Sequence, residues 1–218
     1  MNRRDFLGVS SLACAAGRAF AGGAATIGSN DVTSLDAAGI GRQDLEYLDL
    51  AIQLSDLSSS DRYGENHPFG AVIVLKDETV IKGQNHVHTL KDPTQHAELY
   101  TVSQACRGGL EAKHFESGTL YTSTEPCAMC CGAIYWAGIR RVVYGCSHDR
   151  LDELFREMFP GSTEGGGLLM PSREVFARGG ARTEVLGPFL EDKAVAVHKK
   201  HWPRLLGVPF PTGWQPIG

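Results

Sequence analysis

The spacing of apolar residues predicts a helix followed by a β-hairpin in the first part of the chain. The helix is expected over about 41–57, because apolar positions recur there three and four residues apart. Its apolar face consists of Leu45, Leu48 and Ile52. A continuous apolar run at 69–75 predicts a strand, and the segment 79–84 returns as a second strand after a short polar turn.

The remaining pattern alternates between helices and strands. Helices are predicted near 95–107, 127–137, 149–157, 172–178 and 190–201, and strands near 119–122, 141–145 and 182–186. A polar loop is expected at 85–94, and a glycine-rich stretch at 160–167 is either a lid or a plain connection. A hairpin followed by alternating helices and strands predicts an α/β domain with helices on both sides of one sheet.

The N-terminal 21 residues are typical of an export signal. Arg3 and Arg4 precede a short, weakly apolar segment at 6–16, and small residues surround Ala21. This arrangement resembles a twin-arginine signal cleaved after Ala21, which predicts an exported, periplasmic protein. A Sec signal or a disordered leader are the alternatives. Cys14 is only a weak indication of a lipoprotein site and is interpreted as incidental.

The mature chain divides into a leader, a domain and a tail. Residues 22–40 are rich in glycine, alanine and serine and predict a flexible leader. The domain is expected over 41–202, and the proline-rich segment 203–218 is expected to be extended along its surface.

The charge of the chain favours a small substrate. The formal net charge is −4, and removal of 1–21 takes away three arginines and one aspartate, which leaves about −6. Binding of a phosphate backbone depends on lysine and arginine, so the acidic balance argues against a nucleic-acid partner. No apolar run is long enough to span a membrane.

Two cysteines with metal-ligand spacing follow the predicted strand at 119–122. Cys127 and Cys130 lie three residues apart behind Pro126, so both fall on the first turn of a helix and face the same way. His96 is the candidate third ligand, because Glu98 accompanies it and is placed to accept a proton from an activated water. A structural zinc site would need a fourth protein ligand, whereas a catalytic site keeps that position for water.

The motifs His96-Ala97-Glu98 and Pro126-Cys127-Ala128-Met129-Cys130 resemble the signature of the zinc-dependent cytidine deaminase-like superfamily. The resemblance covers about 69–145. Within it, 92–94 and 133–137 are most similar to guanine deaminases and other nucleoside deaminases. The resemblance implies a three-layer α/β/α fold around a mixed sheet of about five strands.

The resemblance also implies an activity and a set of site residues. His96, Cys127 and Cys130 would hold one Zn²⁺ per chain, with water as the fourth ligand, and Glu98 would carry protons. The reaction would be hydrolytic removal of an amino group from a purine or pyrimidine base or nucleoside, with guanine or a related purine favoured. Relatives of this kind are commonly dimers, so a homodimer is expected.

Substrate contacts are expected from five further positions. Asn85 and the backbone of Ala97 match positions that contact the base in the family, and Asp149 approximates an acidic residue that guanine deaminases use. Phe69 and Trp136 are candidates for stacking on the base. For Asn85 the alternative is a turn-forming residue, and for Phe69 and Trp136 it is a place in the core.

Several alternatives remain open from the sequence. Cys131 could replace Cys130 as a ligand, although the P-C-x-x-C pattern favours Cys130. Of Cys106, Cys131 and Cys146, an odd number, at least one is expected to be a free buried thiol. Alternative functions are a cytosine or cytidine deaminase, a transfer RNA adenosine deaminase and a non-catalytic zinc-binding module.

Overall fold

The computed structural model describes residues 39–59, 66–161, 168 and 170–205. The predicted export signal, most of the predicted leader and the tail from residue 206 lie outside the described residues.

The first described helix, α1, spans Arg42–Ser58 and agrees with the helix predicted from the apolar spacing. Its inward face carries Leu48, Ala51 and Ile52, which are almost completely buried. Asp44 caps the start of the helix, because its carboxylate accepts a hydrogen bond of 2.8 Å from the backbone N–H of Gly41.

One mixed sheet of five strands forms the centre of the molecule. The strands are β1 Gly70–Val74, β2 Val80–Gln84, β3 Thr119–Thr124, β4 Arg141–Cys146 and β5 Glu184–Leu186. Their order across the sheet is β2-β1-β3-β4-β5. β1 is antiparallel to β2 and β3, whereas β3, β4 and β5 are parallel to one another.

Seven more helices are described beyond α1. They are α2 Val87–Leu90, α3 Ala97–Arg107, α4 Ala112–Phe115, α5 Ala128–Ala137, α6 His148–Met158, α7 Ser172–Ala177 and α8 Glu191–Leu205. The short helices α2 and α4 were not expected, and α2 replaces part of the predicted polar loop. The prediction that the chain is extended from Pro203 is wrong at its first residues, because α8 continues through Pro203 and buries Trp202 and Leu205.

Helices cover both faces of the sheet, which confirms the three-layer α/β/α fold. Val72, Tyr121 and Val143 point to one face and pack with α1, α6 and α8 in one hydrophobic core. Their strand neighbours point the other way and pack with α3, α4, α5 and α7 in a second core. Because side chains alternate between the two faces along each strand, one sheet contributes to two hydrophobic cores.

Several chain segments converge at one edge of the sheet, the edge that is formed by the ends of the strands. β3 and β4 end at this edge, and β1 begins there, as the pairing of Ala71 with Thr122 shows. The hydrogen bond from Gly70 N–H to the Ser123 hydroxyl, 3.1 Å long, closes the sheet at this point. Ligand sites of open α/β sheets form outside the carboxyl ends of parallel strands.

None of the described helices is long and apolar enough to cross a membrane. All five described cysteines are free thiols, and Cys131 and Cys146 are buried, as expected for at least one of them.

Candidate metal centre and pocket

The three predicted ligands come from the starts of two neighbouring helices. His96 occupies the N-cap position of α3, Cys127 the N-cap position of α5, and Cys130 the first turn of α5. Both helices therefore direct their N-terminal ends at the same place. The positive end of a helix dipole stabilises a thiolate, which is the form of cysteine that binds a metal.

The ligand atoms of His96, Cys127 and Cys130 all lie within 4.8 Å of one another. Cys127 Sγ is 3.6 Å from His96 Nδ1. Zinc bond lengths of about 2.3 Å to sulfur and about 2.0 Å to nitrogen, at a tetrahedral angle, place such atoms roughly 3.5 Å apart. The donor set and its spacing therefore fit one Zn²⁺.

The environment of the metal centre shifts the pKa values of the two thiols in opposite directions. A hydrogen bond with Cys130 lowers the pKa of Cys127 to about 4, and the bond with His96 adds to this effect. The same bond with Cys127, together with burial, raises the pKa of Cys130. Burial lowers the pKa of His96, but the hydrogen bond with Cys127 and the charge of Glu98 outweigh it, so the net shift is upward.

Glu98 lies beside the metal ligands and is only 5% exposed. Its Oε1 accepts a hydrogen bond of 3.1 Å from the Thr122 hydroxyl, and its Oε2 lies 3.5 Å from Cys130 Sγ. Burial raises the pKa of this carboxyl, as does the charge of Cys127. A buried carboxyl with a raised pKa next to a metal centre is suited to accept and return a proton.

A pocket of about 230 Å³ opens onto the metal centre. His96, Glu98 and Cys127 line it at the metal end. Its apolar lining consists of Phe69, Leu151, Phe155, Leu168 and Trp202. Its other polar lining residues are Thr124, Glu125, His148 and Asp152. An apolar cavity with a few polar groups is typical of a site for a small organic molecule, and this one is below the usual size for drug-like ligands.

Glu125, between β3 and the cysteine motif, connects this part of the chain to the starts of α6 and α7. Its Oε1 accepts hydrogen bonds from the backbone N–H and the hydroxyl of Ser172, at 2.8 and 2.6 Å, at the start of α7. Its Oε2 accepts one of 3.2 Å from the backbone N–H of His148 at the start of α6. Burial would raise the pKa of Glu125, but these hydrogen bonds outweigh it and lower the pKa. The carboxylate thereby holds both helices against the pocket.

Helix α6 contributes both polar and apolar residues to the lining of the pocket. His148 and Asp152 are one helical turn apart and both line the pocket. The Asp152 carboxylate is paired at 2.7 Å with Arg156, which is largely exposed. His148 Nδ1 is buried and has no hydrogen-bond partner among the described residues.

The structure brings some of the predicted contact residues to the pocket and not others. Phe69 lines the pocket. Asn85 and Ala97 are buried at the same edge of the sheet but are not among its lining residues, and the Asn85 side chain accepts a hydrogen bond of 3.0 Å from Val87 N–H. Asp149 also lies outside the lining, whereas Asp152, three residues later, lies within it.

Trp136 is not brought to the pocket in this structure. Its side chain is 83% exposed, and it follows Cys130 by six positions on α5. Six steps of ~100° turn it roughly a third of a circle away from the ligand side of the helix. Trp136 therefore lies outside this pocket, where stacking on the base was expected, and its exposure contradicts the alternative of a place in the core.

The sequence did not indicate the role of Thr124, His148, Asp152, Phe155 and Trp202 in the lining of the pocket. Phe155 and Trp202 read as ordinary core positions of amphipathic helices, and they meet only through the packing of α6 on α8. Thr124 lies two residues before Pro126 of the cysteine motif, and this proximity is a local signal for its place at the site.

Residues 42–146 match the cytidine and deoxycytidylate deaminase zinc-binding region. The "Probable cytosine deaminase" of Schizosaccharomyces pombe is 38% identical over 163 residues, which cover 75% of this chain and 94% of the relative. The guanine deaminase of Bacillus subtilis is 48% identical over 85 residues, which cover 39% of this chain and 54% of the relative.

A solved structure of a transfer RNA A34 deaminase, which carries out A-to-I editing at the wobble position, has a similar fold. It superposes with a TM-score of 0.52 at 27% identity and covers 70% of this chain and 99% of the other.

Proposed function

The chain belongs to the cytidine and deoxycytidylate deaminase zinc-binding family, and on that premise we propose that it deaminates a free nucleobase or nucleoside, with guanine or a related purine preferred. As a member it is a hydrolytic deaminase that acts on C–N bonds, and its His/Cys/Cys cluster is a site for one Zn²⁺. The observation that carries the proposal is the buried Glu98 carboxylate next to this cluster, at the end of a small pocket with aromatic walls.

The proposed mechanism assigns metal binding and proton transfer to separate residues. His96, Cys127 and Cys130 would hold the zinc ion, which when bound acts as a Lewis acid and makes a water molecule nucleophilic near neutral pH. Glu98 takes a proton from the attacking water and delivers it to the ring nitrogen beside the amino-bearing carbon. A second transfer by the same carboxylate protonates the departing amine, so that base and water give a carbonyl product and ammonia.

Thr122 orients the proton carrier. Its hydroxyl donates to Oε1 of Glu98, which leaves Oε2 as the oxygen nearest to the metal ligands. A carboxylate held by one oxygen keeps the other in a fixed position for proton transfer. The chain therefore places a proton acceptor at the metal end of the pocket before substrate binds.

The aromatic residues of the lining favour a flat ring. Phe69, Phe155 and Trp202 supply aromatic surface, and the rings of Phe155 and Trp202 pack edge to face with centroids 5.8 Å apart. Aromatic surfaces bind planar heterocycles by stacking. The polar atoms of His148 and Asp152 on α6 are available to hydrogen-bond to the substituents of such a ring.

The preference for guanine rests on sequence similarity. Segments 92–94 and 133–137 are similar to guanine deaminases, and the guanine deaminase relative is the more identical of the two curated relatives over the segment it shares. Cytosine is the second candidate, because the cytosine deaminase relative matches along nearly its whole length. A transfer RNA substrate is disfavoured by the acidic mature chain, although the fold is shared with such an enzyme.

A substrate panel tests this proposal. Zinc-loaded protein is assayed for ammonia release from guanine, other purines, cytosine and their nucleosides, and transfer RNA is tested for salt-sensitive binding. We expect kcat/KM for guanine or a related purine to exceed that for cytosine by at least about tenfold, a difference of ~1.4 kcal/mol in transition-state binding. A higher value for cytosine would support the second candidate, and tight RNA binding or no release from any base would overturn the proposal.

We also propose that the chain is exported and acts as a homodimer. The paired Arg3 and Arg4 support export. The exposed Trp136 on α5 supports self-association, because large exposed aromatic side chains are typical of protein interfaces.

A further inference from the structure

His198, on α8, is a fully buried histidine that neither the metal centre nor the proposed proton transfer uses. It is 1% exposed. Its ring packs against the rings of Phe69 and Trp202, with centroids 5.2 and 4.8 Å away. Its Nε2 lies 3.3 Å from the Thr124 hydroxyl. Phe69, Thr124 and Trp202 all line the pocket, so His198 lies directly behind the pocket wall.

The hydrogen bond with Thr124 is the feature that a purely apolar residue would not supply. A phenylalanine or leucine would also pack between Phe69 and Trp202 and would bury no polar atom. His198 instead leaves Nδ1 buried without a hydrogen-bond partner among the described residues. Because an unpaired buried nitrogen is unfavourable, the ring is better explained by its bond to Thr124 than by packing alone.

The unpaired Nδ1 indicates which nitrogen of His198 carries the proton. Burial, with the charges of His67 and His201, lowers the pKa of His198 to about 3, so the ring is neutral and only one nitrogen bears hydrogen. A buried N–H without an acceptor is rarer than a buried acceptor without a donor. The favoured tautomer therefore has a bare Nδ1 and an Nε2–H that donates to the Thr124 hydroxyl oxygen.

This tautomer determines what Thr124 can offer a substrate. When the hydroxyl oxygen accepts from His198, its own hydrogen is free to donate. Among the described residues His198 is the one hydrogen-bond partner of this hydroxyl, and Thr124 lines the pocket. The hydroxyl is thus left with a hydrogen to donate, on a residue that lines the pocket.

We propose that His198 is a positioning residue that makes the Thr124 hydroxyl a hydrogen-bond donor to the substrate, so that the pocket selects bases with a carbonyl oxygen or an unprotonated ring nitrogen at that edge. The inference rests on the proposed function, because it assumes that a base occupies this pocket. It adds a specificity element on α8, beyond the 42–146 segment that matches the family.

Steady-state kinetics of four single variants and one double variant, His198→Phe with Thr124→Val, test the proposal. His198→Phe keeps a ring but removes the donor, His198→Gln keeps an N–H donor, and Thr124→Val removes the hydroxyl. His201→Gln is the matched control, because His201 lies on the same helix but pairs with Asp56 and does not line the pocket. Zinc content and melting temperature are measured for each, so that a folding defect is recognised.

We expect His198→Phe and Thr124→Val each to raise KM by roughly three- to tenfold, the worth of one neutral hydrogen bond, with kcat within about twofold. The double variant should lose no more than Thr124→Val alone, because His198 acts through the Thr124 hydroxyl. His198→Gln should stay within about threefold of the wild type, and His201→Gln should match it. Additive losses, or unchanged KM in His198→Phe and Thr124→Val, would overturn the proposal.

A second measurement is independent of turnover. Nitrogen-15 NMR of histidine-labelled wild-type protein near pH 7 should show His198 as a neutral ring with its proton on Nε2. A proton on Nδ1 would contradict the proposal even if the kinetics changed. If the wild type releases ammonia from no base, the proposed function fails. The NMR measurement still confirms or refutes the hydrogen bond between His198 and Thr124 on which the inference depends.

Discussion

The adjacent cysteines Cys130 and Cys131 show how one residue step separates a metal ligand from a core thiol. Both are completely buried. Cys130 Sγ belongs to the cluster with His96 and Cys127, whereas Cys131 Sγ donates a hydrogen bond of 3.2 Å to the backbone carbonyl of Pro126. The 100° step of the helix turns the second thiol away from the metal centre.

Alanine substitutions at these two positions should therefore behave differently. Cys130→Ala should reduce bound zinc from one per chain to nearly none and abolish turnover, because two ligands remain. Cys131→Ala should keep one zinc and measurable turnover, with a modest loss of stability from the vacated space. Elemental analysis by mass spectrometry after desalting measures the zinc. Retention of zinc by Cys130→Ala, or its loss from Cys131→Ala, would contradict the assigned ligand set.

The metal ligands and Glu98 were predictable at the residue scale because the two motifs are local. Pro126, Cys127 and Cys130 share a single helix start, and Glu98 follows His96 by two residues. The substrate side was less predictable. The resemblance to guanine deaminases predicts Asp149 as a contact, but Asp152, three residues later on α6, lines the pocket instead.

At the scale of elements, one carboxylate joins α1 to the sheet. Asp44 Oδ1 accepts hydrogen bonds from Tyr121 on β3, at 2.7 Å, and from Arg141 on β4, at 2.6 Å. Arg141 also donates to Oδ2 and to the backbone carbonyl of Gly39. Burial raises the pKa of Asp44, but the bonds from Arg141, Gly41 and Tyr121 outweigh it and the net shift is downward. The folded state therefore favours the ionised carboxylate.

Asp44→Asn should destabilise the protein in a pH-dependent way. The loss should be ~1–3 kcal/mol at pH 7, because charged hydrogen bonds are weakened and Arg141 keeps only Glu184 of its two carboxylate partners. A depressed pKa stabilises the fold above the usual carboxyl value of 3.8, and this contribution disappears as the pH falls through the folded-state pKa. Urea unfolding at pH 7 and below pH 4 measures the loss of stability and its dependence on pH. Glu46→Gln, at an exposed position on α1, is the control. If the difference in unfolding free energy between the wild type and Asp44→Asn does not shrink in acid, this account is contradicted.

The sequence predicted the longer elements and missed the shortest ones. Helices α1, α3 and α5 have the apolar spacing and end signals that a local reading uses. Helices α2 and α4 have four residues each, which is too short for a periodic pattern. Pro203 suggested a helix end, but burial of Trp202 and Leu205 keeps α8 helical beyond it.

At the scale of the whole molecule, the pocket combines two parts of the chain. The metal centre belongs to the 42–146 segment shared with the family, whereas His148, Asp152, Phe155 and Trp202 come from α6 and α8 beyond it. These helices reach the pocket through long-range packing, so no local pattern could have assigned them to it.

The central claim, hydrolytic deamination with Glu98 as proton carrier, is tested most directly by turnover of the preferred base in ¹⁸O-labelled water. Zinc-loaded wild-type protein should form one ¹⁸O-labelled carbonyl product for each ammonia released, with unlabelled product incubated in the same water as control for exchange. Glu98→Ala should keep one zinc per chain and lose at least about a hundredfold in kcat. Ammonia release without ¹⁸O in the product, or undiminished turnover by Glu98→Ala, would contradict the account.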